Sequence, residues 1–573
     1  MRSRSIVDAA ASLLVVVTLA VGCTGSTDRT APATDVATPA SDATATAAPS
    51  GAVLPPAEAA CALPPDQLLR VWRGSRLGSS GDLQIVPAEP NYMGAGFSHA
   101  GPWDYVQEVP LFLYGPGYVR AAGPIARPAT LADIAPTQAA LLGFGFHAPD
   151  GSALDDALLP AAERPEPPKL IVTLVWDGGG RNVLDTWPDA WPTLQELIPH
   201  GAWFEHATIG SSPSNTPPTH ATIGTGAFPY RHGVIDTYQM VDGQIQKPLD
   251  TGPDVIRLPT LADRYDVAMG NEPVVGVVAT LGAHASMLGH GASWPGGDRD
   301  IAVMRELEDA ETGGAEGLRW KLTTAMRPWF TMPPYVNDVR GIEGDVRALD
   351  RDDGMLDGKW GEHPFSQLQD GFQSPARVPY QTRILRAIVE NEGFGADEVP
   401  DLLFVNIKAV DSIGHLYSVN GEEMGETLEA LDASLGDIIA MFDELVGRDE
   451  WMLILTADHG HQYDPSVSGA FQIGIPALTA YLEDRFGGTP DARIVTRARP
   501  TQLWIDEDTL AAKDLTLDDV ATAVMEATQS QTADEGVVAT DPEARAFSAA
   551  FATASMGALP CLPEAARSGD AAG

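Results

Sequence analysis

The chain has 573 residues, 36 Lys and Arg against 78 Asp and Glu, a formal net charge of −42, and 44% hydrophobic against 20% charged residues. There is ample material for a large globular core. The negative field repels phosphate backbones, which argues against nucleic-acid polymers as ligands, and an anionic substrate would need locally bound cations such as metal ions.

Residues 1–22 carry Arg2 and Arg4 and an apolar run from Ala9 to Val21 ending in Leu19-Ala20-Val21-Gly22-Cys23, the pattern of a signal peptide with a lipoprotein cleavage site. The run is shorter than the ~20 residues that span a bilayer. Residues 23–60 are almost entirely Thr, Ala, Pro, Ser, Asp and Gly without an aromatic residue, too little burial to offset ordering entropy, and read as a disordered tether. The expectation is an exported lipoprotein held at a membrane by lipid on Cys23, with a plainly secreted protein as the alternative. In an oxidising compartment the two other cysteines, Cys61 and Cys561, are expected to form a disulfide. A bridge would bring the two ends of the folded part within ~7 Å.

Apolar runs at Val109 to Tyr114, Leu170 to Trp176, Leu402 to Ile407 and Met452 to Thr456 read as buried parallel strands. Leu428, Leu431, Leu435, Ile438, Ile439, Phe442 and Leu445 form an apolar stripe at helical spacing. The rhythm predicts an α/β fold, a mainly parallel sheet with helices on both faces and chemistry at the carboxyl ends of its strands. Residues 61–240 and 396–565 are the two parts of that core, 241–395 lack the rhythm and read as an inserted cap, and 566–573 are a tail.

Three strand ends then carry metal-capable side chains. Asp177 follows the first of them, Asp411 and His415 the next, and Asp458-His459 the last. Carboxylates and imidazoles suit Zn²⁺ and similar ions, and two such ions ~4 Å apart can grip both the attacking and the leaving oxygen of a phosphoryl displacement.

With Asp177, Thr216-Pro217-Pro218-Thr219-His220, Thr225-Gly226-Ala227-Phe228-Pro229, His232-Gly233, Asp411-Ser412-Ile413-Gly414-His415 and Ala457-Asp458-His459-Gly460 in order, the sequence resembles the alkaline phosphatase superfamily. The similarity is greatest to its nucleotide pyrophosphatase and type I phosphodiesterase branch and to threonine-type bacterial alkaline phosphatases. Sulfatases of the superfamily place an Arg where this chain has His220. The resemblance implies Thr216 as nucleophile, one metal on Asp177, Asp458, His459 and Thr216, and a second on Asp411, His415 and a further His. In relatives that His lies far downstream; here only His461 follows His459. The segments Phe97 to Tyr105, Val109 to Gly115, Asp133 to Thr137 and Ala139 to Gly143 resemble the part that closes such enzymes at their C-terminal end. The chain therefore reads as a circular permutant with His99 as the missing ligand, and the competing reading has His461 complete the site. His284, His290 and His363 are taken as ordinary surface or core residues.

The resemblance implies a hydrolase of small phosphate esters acting through a phosphothreonine with two divalent ions, Zn²⁺ by ligand type, with Mn²⁺ or Fe as alternatives. Thr237 stands where relatives place an Asn that holds a phosphoryl oxygen. Lys408 is a candidate phosphate contact, though a solvated or structural Lys is the commoner case. With no other cation recognisable, phosphodiesters or pyrophosphates are favoured over monoesters. A phosphomonoesterase is the alternative, and a metal-holding lipoprotein without catalysis the alternative of another class. No protein partner is expected.

Overall fold

The computed structural model describes residues 52–94, 96–305, 320–352 and 354–567. The expected signal, Cys23, nearly all of the tether and most of the tail lie outside them.

A nine-stranded sheet organises the chain. In spatial order its strands are Phe330–Thr331, Asp300–Val303, Val275–Val278, Asp401–Ile407, Leu170–Trp176, Trp451–Thr456, Leu111–Tyr114, Ala202–Phe204 and Gly123–Ile125. The first six are mutually parallel. Alternation along each strand divides the apolar residues between two layers. Leu170, Val172, Leu174 and Trp176 pack with Leu428, Leu431, Leu435, Ile438 and Phe442 of the helix Glu422–Phe442. Ile171 and Val175 face the opposite layer, with Ala221 and Ile223 of the helix Thr216–Thr225 and Leu261 and Tyr265 of the helix Leu261–Ala268. The α/β class with both faces covered is thus as expected.

Three expectations need correction. Leu111–Tyr114 is a buried strand, but it runs antiparallel to Trp451–Thr456. Residues 241–395 are not an inserted cap, because three of the nine strands and the covering helix Arg377–Glu392 fall within them. Their rhythm is hidden because these strands have only two to four residues and Gly276 interrupts the apolar run Val274 to Val278. That glycine is needed for packing: a Cβ there would lie 2.9 Å from the Phe394 ring. Finally, the front of the chain does not belong wholly with the first part of the core. Leu83–Pro87 lies inside a four-stranded antiparallel sheet between Gln502–Ile505 and Phe547–Ala552, with Val495–Arg499 beyond.

Front and back are therefore interleaved, and Cys61 and Cys561 are disulfide-bonded with Cα atoms 5.6 Å apart. The half-cystines close a loop across nearly the whole folded chain, a constraint on the unfolded state. Cys561→Ser is expected to lower the unfolding free energy by about 2–5 kcal/mol, measured by denaturant titration under non-reducing conditions. An unchanged midpoint would mean that packing alone holds the chain ends together.

Candidate active site

The carboxyl ends of the parallel strands deliver the acids to one edge. Asp177 immediately follows Leu170–Trp176, Asp458 and His459 follow Trp451–Thr456, and Asp411 lies in the first turn of the helix Ala409–Tyr417 after Asp401–Ile407. Backbone bonds lock these ends together: Asp411 N donates to Asp177 O (2.9 Å) and Asp177 N to Ile407 O (3.1 Å). Gly178 has φ +76°, and a Cβ there would sit 2.8 Å from the Asp411 Cα, so only glycine lets the two ends approach. Its N–H donates to Asp458 Oδ1 (2.9 Å). Thr216 is the first residue of the helix Thr216–Thr225 and, with its Oγ1 3.3 Å from Lys408 Nζ, faces this edge from the opposite layer.

Among the described residues three donor groups result at this edge, one of them Asp177 with His220 and His284, and the other two hold the expected ligands. In the first, Asp177, Asp458 and His459 offer ligand atoms within 4.8 Å of one another. The His459 Nδ1–H donates to Gly460 O (2.9 Å), which leaves the Nε2 lone pair facing Asp458 Oδ2 (3.4 Å) and Asp177 Oδ1 (3.9 Å). Both His459 Nε2 and Asp458 Oδ2 are buried without a hydrogen-bond partner, the mark of a site shaped for an ion.

In the second, His99, Asp411, His415 and His461 converge within 4.8 Å. Their Nε2 atoms lie 3.3 Å (His99), 3.4 Å (His415) and 3.7 Å (His461) from Asp411 Oδ1, itself buried and without a hydrogen-bond partner. The front segment thus does bring His99 to Asp411. His461, the competing candidate, lies in the same group, its ring packed against Gly414, where a Cβ would come within 2.4 Å of it.

The ring nitrogens distinguish the two histidines. His99 Nδ1 lies 2.6 Å from Ser214 O, which can only accept, so its proton is there and the Nε2 lone pair faces Asp411. His461 Nδ1 instead accepts from Gln462 N (3.1 Å), which puts the proton of the neutral ring on Nε2. His99 therefore turns its Nε2 lone pair toward Asp411, as a ligand would, whereas His461 presents an N–H that stops 3.7 Å short of the Asp411 carboxylate, beyond hydrogen-bond distance. Burial pushes His461 down to about 4, so its ring is neutral at ordinary pH, and loss of solvent lowers the partly exposed His415 as well.

Lys408 joins the groups. Its Nζ lies 2.7 Å from Asp411 Oδ2, 3.0 Å from Asp177 Oδ1 and 3.3 Å from Thr216 Oγ1. Burial opposes its charge, but the surrounding carboxylates overcome this and raise its pKa, so it is an ammonium. Burial likewise opposes ionisation of Asp177 and Asp411, and the same ammonium holds both below the usual carboxylate range. Asp458 is pushed up by burial and by Asp177.

Two neighbours of Asp177 escaped sequence reading. His284 Nδ1 accepts from Leu281 N (3.1 Å), so its Nε2–H points at Asp177 Oδ2 (3.1 Å). Asn406 donates from Nδ2 to the same oxygen (2.9 Å). Asn406 was legible as the one polar side chain near the end of an apolar strand; nothing in the sequence sets His284 apart. His290 and His363 do serve elsewhere, on Asp263 (2.8 Å) and Glu423 (2.7 Å). Thr237 lines the cavity above Thr216, about 860 Å³, together with Lys408, Lys247, Arg305 and Arg499. Its N–H donates to Asp236 Oδ1 (2.6 Å), the oxygen that also holds Asn215 Nδ2 (2.6 Å).

Residues 171–553 match the type I phosphodiesterase / nucleotide pyrophosphatase family, more than half of the chain. Alkaline phosphatase PafA of Elizabethkingia meningoseptica is 28% identical over 406 residues, 62% of this chain and 72% of the relative. Alkaline phosphatase PhoK of Sphingomonas sp is 25% identical over 317 residues, 51% of this chain and 55% of the relative. The crystal structure of wild type alkaline phosphatase PafA superposes with a TM-score of 0.46 at 18% identity, covering 65% of this chain and 78% of that one.

The ring orientations generate a test. His99→Ala is expected to lower the Zn²⁺ retained per chain by about one equivalent, measured by elemental analysis after dialysis, whereas His461→Ala keeps the number and weakens affinity by about 10–100-fold. The opposite pattern would exchange their roles.

Proposed function

The chain belongs to the type I phosphodiesterase / nucleotide pyrophosphatase family and is a phosphoric ester hydrolase of the alkaline phosphatase superfamily; from that premise we propose that it works through a phosphothreonine on Thr216 and acts best on phosphomonoesters. Asp177, Asp458 and His459 would hold one divalent ion, Zn²⁺ by donor chemistry, and Asp411, His415 and His99 a second, the pair supplying Lewis acidity for the nucleophile and the leaving oxygen.

The Thr216 hydroxyl gives up its proton to solvent as Oγ1 attacks phosphorus and the bond to the leaving oxygen breaks, the alkoxide taking up a proton from water to depart as the alcohol; a second water then cleaves the phosphothreonine to release phosphate and regenerate the hydroxyl. The Lys408 ammonium, whose N–H groups face Asp411, Asp177 and, at 3.3 Å, Thr216 Oγ1, donates to the developing alkoxide and places its positive charge beside the phosphoryl group. Thr216 also stands at the positive end of a ten-residue helix, which favours negative charge there. His284 and Asn406 hold Asp177 Oδ2, so that Oδ1 is turned toward Lys408 and His459. Thr237 lines the phosphoryl side of the cavity as a further contact.

Lys408 is the observation that carries the substrate class. The sequence favours diesters only for want of a recognisable cation beside the phosphoryl group. A fixed ammonium against Thr216 supplies one, and a dianionic monoester gains more from it than a singly charged diester does. A diester or pyrophosphate reading is supported by the 860 Å³ cavity, whose walls include Lys247, Arg305 and Arg499 and could take a second phosphoryl group. Retention of Thr216 and of all the ligand positions weighs against a protein that only holds metal. The convergence of His99 with Asp411 and the Cys61–Cys561 bridge support the reading as a circular permutant.

Export with a lipid on Cys23 remains part of the proposal. No helix among the described residues is long and apolar enough to cross a membrane.

The test compares Zn²⁺-loaded wild type and Lys408→Met on p-nitrophenyl phosphate and bis-p-nitrophenyl phosphate. Wild type is expected to prefer the monoester, and the substitution to lower kcat/KM for the monoester by about 10²-fold or more while affecting the diester less. A wild-type preference for the diester would return the assignment to phosphodiesterase.

A further inference from the structure

The sheet has a second edge, at the amino ends of its parallel strands and so opposite the catalytic one. Asp300 is the first residue of the strand Asp300–Val303, which runs parallel to Val275–Val278 and through it to Asp401–Ile407. Here Asp266, in the last turn of the helix Leu261–Ala268, Asp298, in the loop before the strand, and Asp300 each bring one carboxylate oxygen within 4.8 Å of the others.

Acidic clusters are common on a chain this negative, and most are solvated. This one is different in its burial and its want of partners. Asp266 is 5% and Asp300 8% exposed, and among the described residues no hydrogen-bond donor reaches either carboxylate and no Lys, Arg or His forms an ion pair with any of the three. Asp263, one turn earlier on the same helix, shows what a satisfied buried acid looks like in this setting. It accepts from Thr260 N (2.8 Å), Thr260 Oγ1 (3.1 Å), His290 N (2.7 Å) and His290 Nδ1 (2.8 Å). Asp266 moreover lies at the carbonyl end of its helix, where the backbone dipole disfavours negative charge. Three carboxylates crowded together, two of them nearly shut off from water and one, Asp298, at the surface, favour a cation among them.

We propose that Asp266, Asp298 and Asp300 form a binding site for a hard divalent cation, Ca²⁺ before others, separate from the catalytic centre. The donors are all oxygen, which selects Ca²⁺ or Mg²⁺ over Zn²⁺. With bonds of about 2.3–2.6 Å, a Ca²⁺ shell spans oxygens up to roughly 5 Å apart, which covers the 4.8 Å within which these oxygens lie, and Ca²⁺ exchanges its waters for carboxylates more readily than Mg²⁺ does. The ion would tie the end of Leu261–Ala268 to the start of Asp300–Val303 and so brace the edge of the sheet.

The test uses the Zn²⁺-loaded full chain, wild type and Asp300→Asn, with and without millimolar CaCl₂. Calcium is expected to raise the wild-type unfolding midpoint by about 2 °C. In Asp300→Asn that increment disappears and one equivalent of bound calcium is lost, while hydrolysis of p-nitrophenyl phosphate is unchanged. Without calcium the variant should be at least as stable as wild type, because one of the repelling carboxylates is gone, so a folding defect cannot imitate the result. No calcium increment in wild type, or an equal one in both proteins, would overturn the proposal.

Discussion

Three carboxylates, Asp177, Asp411 and Asp458, are buried together at one edge of a sheet, and that concentration of negative charge is the constraint on which the rest of the molecule depends. Two like charges 4 Å apart repel by about 4 kcal/mol at an effective dielectric of 20, so three cannot share a dry site without compensation. Lys408 supplies part of it, within hydrogen-bonding distance of two of the three acids. Imidazoles whose Nδ1–H is engaged by a carbonyl, on His99 and His459, turn Nε2 inward and provide the donors that a divalent ion needs for the remainder. The same ammonium that steadies the acids also touches Thr216, which joins the electrostatics of the fold to the chemistry at the nucleophile.

Holding these groups in place requires the whole chain. The parallel strands bring Asp177, Asp411 and Asp458 to one level, and the backbone bonds from Asp177 to Ile407 and from Asp411 to Asp177 set their spacing. His99 comes from the front of the chain, through a segment held between strands of the back half: Leu83–Pro87 lies in the second sheet and Leu111–Tyr114 lies against Trp451–Thr456. The Cys61–Cys561 bridge fastens the outer end of that segment to the far end of the chain. A site assembled from both ends is sensitive to their separation, which gives the disulfide a part in positioning as well as in stability.

Much of this was legible in the sequence, for physical reasons. Leu170–Trp176 and Trp451–Thr456 are buried on both faces, so they read as unbroken apolar runs, and the acids directly after them mark the functional edge. Residues 241–395 misled because their strands are short and because Gly276, placed there for close packing against Phe394, breaks the pattern. The choice between His99 and His461 could not be read from order or spacing, since it depends on which backbone group faces each Nδ1. His284 was passed over for the same reason: its role rests on a neighbour more than a hundred residues away in sequence, Asp177. Lys408 was visible three residues before Asp411, but the direction of its side chain was not.

The central claim is that Thr216 carries the phosphoryl group, and acid quenching of the Zn²⁺-loaded enzyme during turnover, followed by peptide mass spectrometry, tests it most directly. The predicted result is phosphate on the peptide containing Thr216, absent from Thr216→Ala, with turnover of that folded variant down by about 10³-fold or more. Phosphate trapped on another residue, or wild-type turnover in Thr216→Ala, would contradict it.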